Sequence, residues 1–280
     1  MDIKKIIALL LLLAVTAFAH GEEEKHEEEH ASIWEKLKLI DPIEVVYTAG
    51  TFSGLIIIIA LMAAQGLGDE AKKILFILIA APIGFATLYL AATTVYLNLA
   101  SESQGPVHWH ADYEIWACGK QYELVNPTGI ENRVGSAVFH EHNDNRMHVE
   151  GVLVEKSEAK LKRFFAEVGG SMTKDEIILP TNEGLKEWSN GERCNGEETK
   201  LQVFVYRIIN ANPAQKTGFV YKQEKIGDYE EYVLSPYSNV PPGDCIIIEF
   251  DKEKNSTDKI CDTYEIAMEK GDMKAGGYGS

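Results

Sequence analysis

The chain has 280 residues and a formal net charge of −16 at pH 7. An acidic excess excludes a phosphate-gripping nucleic-acid surface, which needs clustered basic residues, and suits a solvated or cation-attracting exterior. The length allows one or two domains, and three long apolar runs crowd the first hundred residues, so the average composition describes neither half of the chain.

Residues 1–19 read as a secretory signal. Lys4 and Lys5 supply the basic start, Ile6 to Val15 the apolar core, and Ala17-Phe18-Ala19 a small-x-small cleavage site. Cleavage after Ala19 would leave His20 first, where an amine and an imidazole on one residue can chelate copper(II); the plainer alternative is that some residue must follow the site. Residues 20–42 form an acidic His/Glu-rich tail and a short interfacial helix. Gly21 to His30 holds no core-forming residue and is predicted to be disordered. Its carboxylates and imidazoles can recruit divalent cations weakly, or act only as a solvated spacer. Ile33, Trp34, Leu37 and Ile40 have helical spacing, and Trp34 suits a membrane interface.

Residues 43–99 predict two transmembrane helices, from about Ile43 to Ala64 and from about Ile74 to Leu99. Both exceed what is needed to cross roughly 30 Å of hydrocarbon. The connector, Gln65 to Lys73, carries Lys72-Lys73, which the positive-inside rule places in the cytoplasm. Residues from 101 onwards then lie outside the cell. Pro82 and Gly84 predict a kink, and Gly50, Ser53 and Gly54 a close helix approach. No ionisable residue sits in mid-span, which argues against a transport path through the hairpin alone.

Residues 101–280 predict an extracytoplasmic β-rich domain with one or two helices, so the whole chain reads as α+β. Its histidine motifs fill residues 106–155. From His108 to Ala117 the pattern alternates: Trp109, Ala111, Tyr113, Ile115 and Ala117 on one face, His108, His110, Asp112, Glu114 and Trp116 on the other. A core histidine would share the apolar face, and these do not. Cys118-Gly119-Lys120 turns the chain into a second hairpin arm, Gln121 to Val125. Ala137 to His142 predicts a strand with His140 and His142 on one face. After a turn at Asn143 to Arg146, Met147 to Val154 predicts another, bearing His148 and Glu150. Ser157 to Val168 predicts a helix capped by Ser157, with Leu161, Phe164, Phe165 and Val168 facing the core. Strands are predicted at Ile177–Leu179, Leu201–Ile209, Phe219–Gln223, Glu231–Leu234 and Cys245–Phe250. Val240 to Asp244 reads as a turn, Asp258 to Met268 as a terminal helix, and Lys270 to Ser280 as a fraying end.

All four cysteines, Cys118, Cys194, Cys245 and Cys261, fall in the domain expected outside the cell. An even number there predicts two disulfides, with three connectivities open. Cys118 shares the nominal face of His108 and His110 and becomes a thiolate ligand only if the sheet coils. Asn255-Ser256-Thr257 is a glycosylation sequon, making Asn255 a candidate acceptor.

Two histidines at i, i+2 on a strand project the same way, roughly 6–7 Å apart. Pairs on adjacent strands supply three or four nitrogens to one ion. His108, His110, His140, His142 and His148 are therefore candidate metal ligands, with Glu150 or Asp112 completing or orienting the site. Imidazole-rich ligation suits copper or zinc first. An open coordination position would activate water; a closed site would be structural or a store. The competing readings are a polar network that fixes the sheet and a pH-sensing cluster. No Ser-His-Asp set, phosphate loop or dinucleotide fingerprint is legible, so an enzyme is reached only through the metal.

The residues resemble a family of archaeal and bacterial exported or membrane-anchored proteins with an H-x-H…H-x-H…H-x-E domain. The matches are His108, His110, Ile115 and Gly119, then Pro127-Thr128-Gly129-Ile130, His140 and His142, His148 with Glu150, and Phe164-Phe165. They cover about residues 106–170, and more faintly Cys245–Phe250. The chain departs from that pattern at Tyr113, at Trp116-Ala117-Cys118, in its four cysteines and in its hairpin anchor. The resemblance implies a β-rich fold and a metal site, and no particular reaction. The leading expectation is a membrane-tethered metal-binding protein. The alternatives are a non-enzymatic accessory subunit packed by its hairpin against another membrane protein, or a copper enzyme using His20 beside His108 and His110.

Overall fold

The computed structural model describes residues 33–63, 66–130, 132–212, 214–234 and 243–276. The signal segment, the His20 chelate, the acidic tail and residues 240–242 of the expected turn lie outside the described residues. The chain divides into two compact units, one ending at Thr87 and the other beginning at Leu88.

In the first unit, α1 (Ile33–Lys36) is short, and Lys38 turns the chain in the left-handed region at φ 54°. Pro42 then opens α2 (Pro42–Ala63), a position where proline's missing N–H costs nothing. Helix α3 (Asp69–Ala100) starts earlier than the apolar run predicts. Asp69 and Glu70 favour the positive end of the helix and pair with Lys72 and Lys73 at 3.3 and 2.8 Å. The two lysines therefore ride on the helix and not in the connector. Both α2 and α3 are long and apolar enough to cross a membrane. α3 continues unbroken through Pro82. The expected role of Gly50 and Gly54 is not what the packing shows, since a Cβ added at either meets open space. Ser53 of that expected set is buried, together with Ala49 and Ala86, and its hydroxyl donates to the Ile79 carbonyl at 3.3 Å.

The second unit is built on a nine-stranded sheet. Its strands are β1 (Pro106–Ala117), β2 (Lys120–Tyr122), β3 (Val134–Gly135), β4 (Phe139–Glu141), β5 (Arg146–Val152), β11 (Lys200–Ile208), β12 (Phe219–Ile226), β13 (Asp244–Asp251) and β14 (Met273–Ala275). Their order is β14-β12-β11-β13-β1-β5-β4-β3, with β2 paired beside β1. A hairpin sheet, β6 (Ser171–Met172), β7 (Glu176–Thr181) and β8 (Gly184–Ser189), and a small ribbon, β9 (Arg193–Cys194) and β10 (Glu197–Glu198), complete the strands. The sheet is mixed: β13 runs parallel to β1, while β5 pairs antiparallel with β1 and β11 with β13.

Strand parity sorts the sheet into two faces. On one, Trp109, Tyr113, Ile115, Val149, Phe139, Val205 and Ile246 are buried under the short helix α4 (Leu161–Glu167). Phe164 of α4 meets Tyr113 and Phe139 with ring centroids 5.5 and 5.2 Å apart. On the other, Phe204, Tyr206, Cys245 and Ile247 pack against Tyr264 of α5 (Asp262–Glu269). The histidines share this second face.

Several expectations are corrected. The helix predicted from Ser157 splits into a 3₁₀ turn, Lys156–Ala159, and α4. Lys160 between them is extended, bridges Val233, and Leu161 N–H donates to the Tyr232 carbonyl, so a distant strand segment ends the first turn. Ser157 caps nothing; its hydroxyl donates to Glu155. The strand expected at Glu231–Leu234 reduces to that single bridge after a 3₁₀ turn at Tyr229–Glu231. Within the end expected to fray, Met273–Ala275 instead adds β14 beside β12, and residues 277–280 lie outside the described residues. β8 was not legible, because its exposed face carries the apolar Leu185 beside Glu187, so the residue types do not alternate although the burial does. Two disulfides join Cys118 to Cys194 and Cys245 to Cys261. Cys118 is thereby removed as a thiolate ligand.

Candidate metal centre

Three neighbouring strands, β1, β5 and β4, carry the cluster. Their register sets His110 opposite His148, and His148 opposite His140. His108 sits two residues before His110, opposite Glu150, and His142 follows β4 two residues after His140. Even spacing puts all five imidazoles on one face, so the sheet presents a row of three histidines with one more at each end.

The local backbone explains why this row forms. Asn143 and Asn145 take left-handed conformations, φ 65° and 54°, which asparagine tolerates. The buried Glu141 closes the same turn by accepting the N–H groups of Asp144 at 2.7 Å and Asn145 at 3.3 Å. That turn sets His142 and His148 side by side, with ring centroids 4.9 Å apart. Gly135 of β3, at φ +110°, lets the chain pass His140: a Cβ there would lie 2.6 Å from the Phe139 carbonyl oxygen.

His148 is the hub. Its ring centroid lies 4.6 Å from His110, 4.9 Å from His142 and 5.5 Å from His140, where the rings are parallel. Two triads result, His108 with His110 and His148, and His140 with His142 and His148; in each, one nitrogen per ring lies within 4.8 Å of the others. The first opens to solvent at His108, and the second is buried at His140.

The hydrogen bonds leave nitrogens free. His142 Nδ1–H donates to the Asn132 carbonyl at 2.6 Å, which leaves Nε2 as the nitrogen with a free lone pair. Asp144 lies 3.2 Å from His148 Nε2, and Glu150 3.1 Å from His108 Nε2. Two ring nitrogens, Nε2 of His110 and Nδ1 of His140, are buried with no hydrogen-bond partner. Burial without a partner is costly for a polar atom, and metal ligation at each ring would satisfy it. Burial, then the neighbouring His148, His108 and Arg146, lowers the pKa of His110 to about 4. Burial, then His142 and His148, lowers that of His140. Both rings are therefore neutral at pH 7, the form that binds a metal. At Asp144 burial pushes the carboxyl up, and the hydrogen bond from His148 with the charges of His148 and Arg146 outweighs it, so its pKa falls.

Asp112 faces the same way but is engaged elsewhere. Arg146 Nε donates to it at 2.6 Å and the Thr263 hydroxyl of α5 donates to its other oxygen. It holds β5 and α5 to β1 and is not part of either triad. Glu141, Asp144, Asn132 and Arg146 are the supporting residues that sequence reasoning missed. Only the Asn143 to Arg146 turn signal pointed towards them. Asn255 is exposed, while Thr257 of its sequon is buried, its N–H donating to Gln223 at 3.0 Å.

No family model matches this chain, and searches of curated proteins and of solved structures likewise return no match. The likeness to the H-x-H…H-x-H…H-x-E proteins therefore rests on its residues alone.

Proposed function

We propose that this is a membrane-tethered, extracytoplasmic protein that binds a transition metal, copper or zinc, on the face formed by β1, β5 and β4. The observation that carries the reading is the pair of histidine triads meeting at His148, with buried, unpartnered nitrogens on His110 and His140. An all-imidazole donor set with carboxylates at its rim suits these ions, and the absence of thiolate from the triads sets it apart from a cysteine zinc site. Glu150 and Asp144 orient the rings, and Asp112 acts one layer further out. The tether is supported by two apolar helices. The outward placement is supported by the signal-like first 19 residues, by Lys72-Lys73 at the start of α3 next to the connector, and by two disulfides, which persist in oxidising compartments. The role is binding and handling of the ion. To test it, the full chain is purified in detergent, loaded with copper(II) or zinc, desalted and assayed for metal. H110A combined with H142A should remove most of the metal held by the parent; unchanged content in that variant would overturn the reading.

A further inference from the structure

The five histidines do not converge on one point. They fall into two triads, and the only residue common to both is His148. A ring nitrogen has one lone pair and binds one ion, while an imidazole has two such nitrogens, on opposite sides of the ring. His148 occupies the middle strand of three, with His110 facing it from β1 and His140 from β4. We infer that this face holds two metal ions bridged by the His148 ring, one ion at His108 and His110, the other at His140 and His142. The inference rests on the metal-binding reading above and specifies its stoichiometry.

Three further observations support a pair of ions. Each triad has its own buried nitrogen without a partner, Nε2 of His110 in one and Nδ1 of His140 in the other, so a single ion would leave one of them unsatisfied. Carboxylates stand beside the cluster, Glu150 at 3.1 Å from His108 and Asp144 at 3.2 Å from the shared His148, and they offset the charge of two cations placed close together. His148 Nε2 points at Asp144, so an ion replacing the proton on that nitrogen meets the carboxylate as well. On binding the second ion, His148 gives its remaining N–H proton to solvent, and two metal–nitrogen bonds replace one N–H bond and one lone pair.

The test uses copper(II), whose unpaired electron reports the bridge. The full chain is prepared in detergent with H20A, H26A and H30A, so that the other three histidines do not contribute to the count. The expected result is two copper ions per chain with an electron paramagnetic resonance signal well below that of two isolated ions, because the shared ring couples their spins. H142A should then bind one copper and regain the full signal of a single ion. H148Q, which keeps a polar side chain of similar length, should abolish the coupling. One copper per chain, or two with undiminished signal, or two retained in H142A, overturns the bridged pair and leaves single-ion binding standing. Neither copper nor zinc bound in the parent overturns both readings.

Discussion

His110 shows how a single side chain can be poised without being charged. Its pKa of about 4 lies below the value of about 6.5 expected of an unfolded histidine. The folded state therefore binds fewer protons than the unfolded state between those values. Stability from this residue is full above about pH 6.5 and is lost as pH falls towards 4. His140 shifts in the same direction and adds to the loss. Thermal unfolding of the metal-free chain in chelator should show a melting temperature that drops across that window, less steeply in H110N; a flat profile would contradict the burial argument. Asp112 makes a different prediction. Its carboxylate is nearly fully buried against Arg146 and Thr263. Asp112→Ala should cost roughly 1.5–3 kcal/mol in denaturant unfolding, the range for a hydrogen bond to a charged group, while the bound metal per chain stays unchanged. Loss of an ion with unchanged stability would make Asp112 a ligand. The candidate ligands were legible because H-x-H on a strand has fixed parity. The supporting residues were not, because Asn132 contributes a backbone carbonyl and Glu141 lies on the opposite face of β4 from the rings it positions.

Among the elements, β1 was the easiest to read, since a half-buried strand writes its two faces in alternation. The pairing of β4 with β5 follows from the Asn143 to Arg146 turn, whereas the pairing of β5 with β1, which makes His148 central, is non-local and was not in the sequence pattern. The split of the Ser157 helix has the same origin, as the bridge from Lys160 to Val233 overrides a continuous helical periodicity. α4 survives that split because Leu161, Phe164 and Phe165 are fully buried. Phe164→Ala should therefore cost about 3–5 kcal/mol, the range for emptying a buried aromatic site, read as a shift in the urea midpoint. A loss under ~1 kcal/mol, the scale of the mildest core truncations, would mean that α4 is not holding the back of the histidine strands. Cys118–Cys194 closes a span of 76 residues from the end of β1 to β9. Replacing both with serine should lower stability by about 2–5 kcal/mol without changing metal content, because neither sulfur belongs to the triads.

At the scale of the whole molecule, composition divides the chain more sharply than any motif. Two helices with apolar surfaces precede a domain whose sheet buries one face under α4 and packs part of the other against α5, where the Thr263 hydroxyl donates to Asp112. The tether predicts that the protein stays with membranes through alkaline carbonate extraction, and its release would contradict spanning helices. The central claim is that β1, β5 and β4 together form a metal centre. An anomalous-difference map from a crystal of the zinc-loaded chain, collected on both sides of the zinc absorption edge, tests this most directly. The account predicts anomalous density among the rings of His108, His110, His140, His142 and His148, touching His148. Anomalous density only elsewhere on the protein, or none between these rings at full zinc loading, would contradict it.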